Sequence, residues 1–197
     1  MPRRPDISDK LIHFTRGESA HGAFSTLRKI LSEGRLCSGN RMIRGGYQCV
    51  CFTEAPLLAV ANGFAARLPE SRYAPFGLMF DKTWVFAHGG RPVIYEPDSD
   101  FLDLPEDMRW RHVRYEPFGT APVDFTWERE WRARCDELCF APAEATIVLP
   151  NAQWASLLLN LHEDEQDMMV EAYATVLDRN IAEQIRDPFL WHVVTLG

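Results

Sequence analysis

The segment from Asp124 to Arg132 carries the clearest chemical pattern in the sequence, DFTWEREWR. We predict a β-strand here, and a strand points alternate side chains to opposite faces. One face would hold the aromatic side chains, Phe125, Trp127 and Trp131. The other would hold the charged side chains, Glu128, Glu130 and Arg132. Two carboxylates beside a guanidinium form a candidate polar site, and the competing interpretation is a solvent-facing edge strand whose charges discourage aggregation.

Polar side chains also occur in two shorter apolar runs. His13 and Thr15 share one face of a predicted strand over residues 11–15, and a second predicted strand over 48–52 leads into Thr53 and Glu54. Functional residues collect where strands emerge into loops, so we expect these groups to contribute to the same site as the glutamates. A lone histidine in an apolar strand is also commonly a core residue, and that alternative stays open.

A glycine-rich loop with two cations lies between these runs. Residues 37–47 contain Arg41 and Arg44 among Gly39, Asn40, Gly45 and Gly46, a composition typical of a loop. The sequence therefore predicts a loop that could clamp an anion.

The remaining elements must position these residues. Apolar periodicity and turn signals predict the following strands and helices. Further strands are predicted over 76–80, 91–95, 124–133, 137–140 and 145–149, and helices over 19–34, 54–68 and 101–114, from Asn151 and from about Glu163. We predict one α+β domain over residues 1–197, closed by C-terminal helices over 151–190.

Composition limits the classes of function. The formal charge of -7 disfavours a non-specific nucleic-acid coat, although Arg109, Arg111, His112 and Arg114 could form a local basic patch. No secretory signal or bilayer-spanning run is recognised, so we expect a cytoplasmic protein without a membrane partner. The five cysteines are an odd number, which favours reduced thiols, and we expect no metal.

Five short motifs together resemble a known bacterial family. They are His13-Phe14-Thr15, a helix ending at Gly34, Cys51-Phe52-Thr53-Glu54, Gly90-Arg91-Pro92-Val93-Ile94-Tyr95 and Glu128-Arg129-Glu130-Trp131-Arg132. Their order over residues 11–149 resembles the abortive-infection AbiGi family and, more distantly, the DarT-type ADP-ribosyltransferases.

The resemblance implies an ADP-ribosyltransferase-like split β-sheet flanked by helices, with NAD bound as substrate in the cleft. Glu130 would be catalytic and Glu128 would engage the acceptor. His13 and Thr15 would hold the adenosine-side ribose, and Arg41 or Arg44 the pyrophosphate. The sequence has no clear tyrosine pair for nicotinamide, so other aromatic residues would substitute. The candidates are Tyr47, Phe52, Tyr73 and Phe76. Thr53, which follows Phe52 in the sequence, is a further candidate for contact with NAD.

Three classes of function follow. The first is an ADP-ribosyltransferase or NAD glycohydrolase, a toxin or phage-defence effector that modifies nucleic acid or protein and has a cognate antitoxin. The second is a catalytically inactive, antitoxin-like module that binds a nucleotide or a partner such as a toxin in the same cleft. The third is a metal-dependent hydrolase built on His13, Glu54 and Glu130, for which the sequence contains no matching ligand spacing.

Overall fold

The fold is a mixed β-sheet covered by helices, seen in a computed structural model that describes residues 7–57 and 75–197. The strands are β1 Lys10–Phe14, β2 Arg35–Cys37, β3 Cys49–Thr53, β4 Gly77–Asp81, β5 Arg91–Pro92, β6 Ile94–Glu96, β7 His112–Arg114, β8 Glu130–Arg134, β9 Glu137–Cys139, β10 Ala145–Leu149 and β11 His192–Thr195. The helices are α1 Ala20–Glu33, α2 Lys82–Ala87, α3 Ala152–Ala174 and α4 Arg179–Glu183. Four 3₁₀ turns cover Asp98–Leu102, Glu106–Arg111, Thr126–Glu128 and Pro142–Glu144.

Seven strands form the main sheet in the order β11-β10-β4-β1-β3-β8-β5. Neighbouring strands within this sheet are antiparallel, except that β10 and β11 are parallel to each other. The centre of the sheet is narrow, because β1 and β3 share a single paired position, Ile12 with Thr53. By contrast, β1 pairs with β4 over five positions and β3 with β8 over five. The sheet therefore consists of two well-paired parts joined at one point.

Helices α1 and α3 cover one face of this sheet. The Ser19 side chain accepts a hydrogen bond from the Gly22 amide at the start of α1, and Gly34 ends the helix with φ 62°. These are the preferred residues for the two caps. Phe24 of α1 packs against Trp154 of α3 with ring centroids 5.0 Å apart, and Trp154 meets Phe76 at 4.8 Å. The main hydrophobic core lies between these helices and the sheet.

The opposite face of β3 and β8 carries a second layer. Strands β6 and β7 pair in parallel as a separate ribbon. A small apolar cluster of Ile43, Cys49 and Trp110 packs beneath it. This layer encloses the polar side chains of β3 and β8 rather than leaving them in solvent.

The predicted strand over 124–133 is wrong in its first half. Residues Thr126–Glu128 form a 3₁₀ turn, Arg129 takes the left-handed conformation with φ 45°, and the strand begins only at Glu130. Because the alternation of a strand does not apply across this turn, the predicted aromatic face does not exist. Trp131 is buried in the core, whereas Phe125 and Trp127 lie on the same side as Glu128.

Other boundaries differ for similar reasons. The predicted helix over 101–114 is two 3₁₀ turns followed by β7, and the two helices predicted from Asn151 and Glu163 are the single helix α3. The predicted strand over 91–95 divides into β5 and β6, and β2, α4 and β11 were not predicted. The predicted helix over 54–68 lies largely outside the described residues. The coarser prediction of one domain with mixed helices and sheet is confirmed, and no described helix is long and apolar enough to cross a bilayer.

Candidate functional site

A cavity of about 1030 Å³ opens where the two parts of the sheet separate. Its walls come from β1, β3 and β8, from α1, and from the loop between β2 and β3. This volume lies at the upper end of the range for small-molecule sites, which is about 300–1,000 Å³. The narrow join between β1 and β3 thus creates room for a ligand beside the strands that carry the polar residues.

Most of the predicted site residues line this one cavity. Those on its walls are His13, Thr15, Arg41, Arg44, Phe52, Thr53, Glu128 and Glu130. Tyr47 instead borders a separate small pocket with Arg134, whose guanidinium lies 5.1 Å from the Tyr47 ring centroid. The structure therefore brings the predicted charged and hydroxyl groups together and leaves Tyr47 outside the cavity.

His13 occupies the gap where β1 and β3 stop pairing. Its Nδ1 lies 2.8 Å from the carbonyl oxygen of Cys51. Because a carbonyl only accepts, Nδ1 carries the proton and Nε2 of the neutral ring is left as an acceptor. Burial lowers the pKa of His13, with the nearby Arg16 adding to that effect, although the Cys51 bond opposes it. A neutral imidazole with an acceptor nitrogen therefore lines the cavity near pH 7.

Glu130 is held by the next polar residue of the same strand. Arg132 Nε donates to Oε1 of Glu130 at 2.8 Å, and Nη2 donates to Oε2 at 3.2 Å. The Arg132 side chain is 4% exposed and that of Glu130 is 14% exposed. Burial disfavours the charge of Arg132, but the Glu130 carboxylate outweighs burial and raises the pKa of Arg132. The pair places a fixed carboxylate on the cavity wall.

Two further residues support Glu130. The Tyr95 hydroxyl accepts a hydrogen bond from the Glu130 amide at 3.1 Å and lies 3.3 Å from the Phe125 carbonyl, which it can donate to. Burial raises the pKa of Tyr95 to about 12. Burial, followed by the Glu130 carboxylate, also raises the pKa of the Cys51 thiol, so this thiol stays protonated beside the carboxylate. Tyr95 thus fixes the Glu130 backbone, and the protonated Cys51 thiol can donate to the Glu130 carboxylate.

The two threonines at the site have structural bonds. The buried Thr15 hydroxyl lies 2.9 Å from the Ala23 carbonyl and 3.1 Å from the Phe76 carbonyl, which ties the end of β1 to α1 and to the start of β4. The Thr53 hydroxyl donates to the Glu128 carbonyl and accepts from the Ala55 amide. Both hydroxyls therefore fix the strand ends at the cavity rather than facing a ligand with free hydrogens.

The two loop arginines differ in their surroundings. Arg44 pairs with Asp98 at 2.8 Å and lies over the Phe101 ring, 4.4 Å from its centroid. Arg41 is exposed on the cavity wall and makes no hydrogen bond or ion pair with the described residues. Arg41 is consequently the loop cation available to an incoming anion.

Of the aromatic residues predicted to contact nicotinamide, Phe52 lines the cavity, and the other described candidates, Tyr47 and Phe76, do not. Phe76 is 1% exposed within the core, and Tyr73 lies outside the described residues. Phe52 is buried, with its ring 5.9 Å from the His13 ring in an edge-to-face contact. Phe125 and Trp127 do line the cavity. Their position next to Glu128 was the available signal, but the predicted strand assigned them to the core.

The cavity wall is cationic although the whole chain is acidic. Among the described residues, seven cationic and four acidic side chains line it. The cations are Arg16, Lys29, Arg35, Arg41, Arg44, Arg114 and Arg132, and the acids are Glu33, Asp98, Glu128 and Glu130. The chain as a whole carries a formal charge of -7. A local excess of positive charge in a recessed site attracts anions.

The metal site considered from the sequence is not assembled. Glu54 accepts from Lys82 Nζ at 2.6 Å and from Trp131 Nε1 at 2.9 Å, on the core side of the sheet and away from Glu130. Within residues 7–57 and 75–197, no three His, Cys, Asp or Glu side chains gather as metal ligands would. The five cysteines are free thiols.

The arginines of the candidate basic patch over residues 109–114 bond to nearby groups of the chain. Arg109 donates to the Leu104 carbonyl at 3.0 Å, and Arg111 donates to the Pro92 carbonyl at 2.9 Å. Arg114 pairs with Glu116, and His112 is buried. The segment therefore organises the layer above β8 and does not present a continuous basic stripe.

Comparison with known proteins gives no relative from which to assign the site. No protein-family model matches the chain, and neither the curated proteins nor the solved structures contain a match. The geometry of the cavity and the motif resemblance are therefore the observations that bear on function.

Proposed function

We propose that the cavity binds NAD and that the chain is an ADP-ribosyltransferase-like protein. The observation that carries the proposal is that Glu130 and the neutral His13 line one recessed, cationic cavity at the join of a nearly divided sheet. A divided sheet with its cleft beside a strand-borne glutamate is what the motif resemblance implies for an ADP-ribosyltransferase-like fold.

Each group has a role in this proposal. Arg41, which has no partner among the described residues, contacts the pyrophosphate. His13 Nε2 accepts a hydrogen bond from a hydroxyl of the adenosine-side ribose. Phe125 and Trp127 offer aromatic faces for the nicotinamide, in place of the residues predicted from the sequence. Glu128 lies beside Glu130 on the wall, where it engages the acceptor.

The proposed reaction breaks the bond between nicotinamide and C1′ of its ribose. Nicotinamide leaves with the bonding electrons, and positive charge develops on C1′ and the ring oxygen. The Glu130 carboxylate stabilises this charge because it is already oriented and needs no rearrangement during the reaction. An acceptor oxygen or nitrogen, or water, then bonds to C1′ and loses its proton.

The motif resemblance also bears on the biological role of the protein. It supports a cytoplasmic bacterial toxin or phage-defence effector that modifies a nucleic-acid or protein acceptor and is restrained by a cognate antitoxin. With water as acceptor, the same site would act as an NAD glycohydrolase.

A second candidate is a module that binds a nucleotide, or a partner such as a toxin, without turnover. The observation in its favour is that both Glu130 oxygens already accept hydrogen bonds from Arg132. Each oxygen keeps a second lone pair, so the pairing does not prevent catalysis. It does allow a purely structural carboxylate, and only a turnover measurement separates the two functions.

The test is nicotinamide release from NAD by the wild-type protein and by Glu130→Gln. The substitution keeps the shape of the side chain and removes the charge that stabilises the developing cation. We expect release to fall by about a hundred- to a thousandfold. NAD should still raise the melting temperature of the variant, because the pyrophosphate contact lies elsewhere in the cavity.

Glu171→Gln is the matched control, because Glu171 is an exposed residue of α3 that pairs with Arg179 away from the cavity. It should release nicotinamide at the wild-type rate. Unchanged release by a folded Glu130→Gln protein would remove Glu130 from the mechanism. A stabilising effect of NAD without any release by the wild type would favour the binding module.

A further inference from the structure

The Arg132 guanidinium makes more hydrogen bonds than its contact with Glu130 requires. Besides its two bonds to Glu130, its Nη1 lies 2.9 Å from the carbonyl oxygens of both Trp110 and His112. The side chain thus has partners for four hydrogen bonds while only 4% exposed. A guanidinium is planar and rigid, so partners on both sides fix its plane.

The fixed plane of Arg132 also fixes Glu130. The two residues lie two positions apart on β8 and therefore share a face of the strand. Their two-point contact aligns the carboxylate with the guanidinium, which limits rotation of the carboxylate. The carbonyls that hold Arg132 belong to the 3₁₀ turn Glu106–Arg111 and to β7, so the layer above the sheet is coupled to Glu130.

We propose that Arg132 is a positioning residue that holds the Glu130 carboxylate in a single orientation on the cavity wall. The proposal rests on the proposed function for its catalytic meaning, but it states a property of the Glu130 side chain that can be measured without NAD. The competing explanation is that Arg132 only fastens the second layer, which contains β6 and β7, to the main sheet.

The first experiment compares the position of the Glu130 carboxylate in crystal structures of the wild type and of Arg132 variants, all without NAD. The titratable and charged groups that face Glu130 are Arg132 on β8, Cys49 and Cys51 on β3, and Tyr95 on β6, with Glu128 on the preceding turn. Of these, only Arg132 is a cation, and it bonds both carboxylate oxygens. Without that two-point contact, the carboxylate should move or take more than one orientation.

We expect Arg132→Lys to displace the Glu130 carboxylate by about 1 Å or to leave it in more than one conformer, because a single ammonium group does not make the two-point contact. Arg132→Gln loses both the contact and the charge, so its displacement should be at least as large. Arg134→Gln is the matched control, because Arg134 is exposed two positions further along the same face of β8. Its Glu130 carboxylate should lie where it does in the wild type.

The second experiment measures nicotinamide release by Arg132→Lys. Misorientation of a reacting group affects the chemical step more than substrate binding, so kcat should fall by about a hundredfold with KM within about twofold of the wild type. In the Glu130→Gln background, Arg132→Lys should cause little further loss, because the residue it positions is gone.

The outcomes separate the two proposals. A Glu130 carboxylate that is unmoved in Arg132→Gln, or in Arg132→Lys if the glutamine variant does not fold, overturns the positioning role whether or not NAD is consumed. A displaced carboxylate in a protein that releases no nicotinamide supports the positioning of Glu130 and rejects the proposed enzymatic function. An equal loss from Arg132→Lys in both backgrounds would show that Arg132 only fastens the layer.

Discussion

At the scale of single residues, His13 shows how one side chain completes a sheet. Strands β1 and β3 pair only at Ile12 and Thr53, so the Cys51 carbonyl is left to bond the His13 ring instead of a backbone amide. A buried acceptor without a partner would cost about 1–3 kcal/mol. The imidazole is therefore both a structural donor through Nδ1 and an acceptor for a ligand through Nε2.

This arrangement predicts a pH dependence of stability. Because the folded pKa of His13 is lowered, mainly by burial, the unfolded chain binds more protons at this residue below about pH 6.5. The free energy of unfolding contributed by His13 is fully present above that pH and decreases as the pH falls toward the folded pKa. Thermal denaturation between about pH 7.5 and pH 5.5 measures this change.

The variant His13→Gln retains a donor for the Cys51 carbonyl and does not titrate. Its melting temperature should fall less than that of the wild type over the same pH interval. The window lies above the range in which carboxylates take up protons, so the difference reports on histidine. Parallel curves for the two proteins would contradict a desolvated His13.

At the scale of elements, the close approach of β4 to β1 sets the position of His13. Gly77 pairs with Phe14, and a Cβ atom at Gly77 would lie 2.4 Å from the His13 carbonyl oxygen. That distance is far below van der Waals contact, and both atoms belong to paired strands. The absence of a side chain at residue 77 therefore permits the pairing that carries His13 to the cavity.

We accordingly expect Gly77→Ala to displace the end of β1. Overpacking of this kind typically costs about 1–3 kcal/mol, and the displaced His13 should also weaken the stabilisation by NAD. Urea denaturation with and without NAD measures both effects. Gly39→Ala is the control for stability, because a Cβ at Gly39 meets no atom within 4 Å. Equal unfolding midpoints for the two variants would refute the close approach.

At the scale of the whole molecule, the distribution of charge matters more for ligand binding than the net charge of the chain. The chain carries -7 overall, yet cations outnumber acids on the cavity wall. Most of the arginines on the cavity wall are paired, whereas the exposed Arg41 has no partner among the described residues. An anionic ligand would therefore be repelled by the molecule on average and attracted at the site.

Salt should accordingly weaken NAD binding. Raising NaCl from about 0.05 M to about 0.5 M shortens the screening length to a few ångströms, and we expect the apparent affinity for NAD to fall several-fold. Arg41→Ala should bind NAD less tightly and respond less to salt. Calorimetry measures both, with uncharged adenosine as the control ligand. The same salt response for NAD and adenosine would argue against an electrostatic site.

The sequence by itself determined the elements whose signals are local. Helix α1 was predicted from the spacing of Phe24 and Leu27 and from its end at Gly34, and β10 from its apolar run. His13 was also identified as a polar residue within an apolar strand, and Glu130 by the alternation of charged and aromatic residues over 124–132. Such signals can be read from sequence because caps and periodicity depend on neighbouring residues.

The tertiary structure decided what those polar residues do. The left-handed Arg129, the 3₁₀ turn before β8 and the turns replacing a helix over 101–114 depend on contacts with distant segments. Arg132 illustrates the reason, since its carbonyl partners lie 20 and 22 residues earlier in the chain. Periodicity along one strand indicated that Glu130 and Arg132 share a face. Only the packing of the second layer turned that face from a solvent-exposed edge into the wall of a cavity.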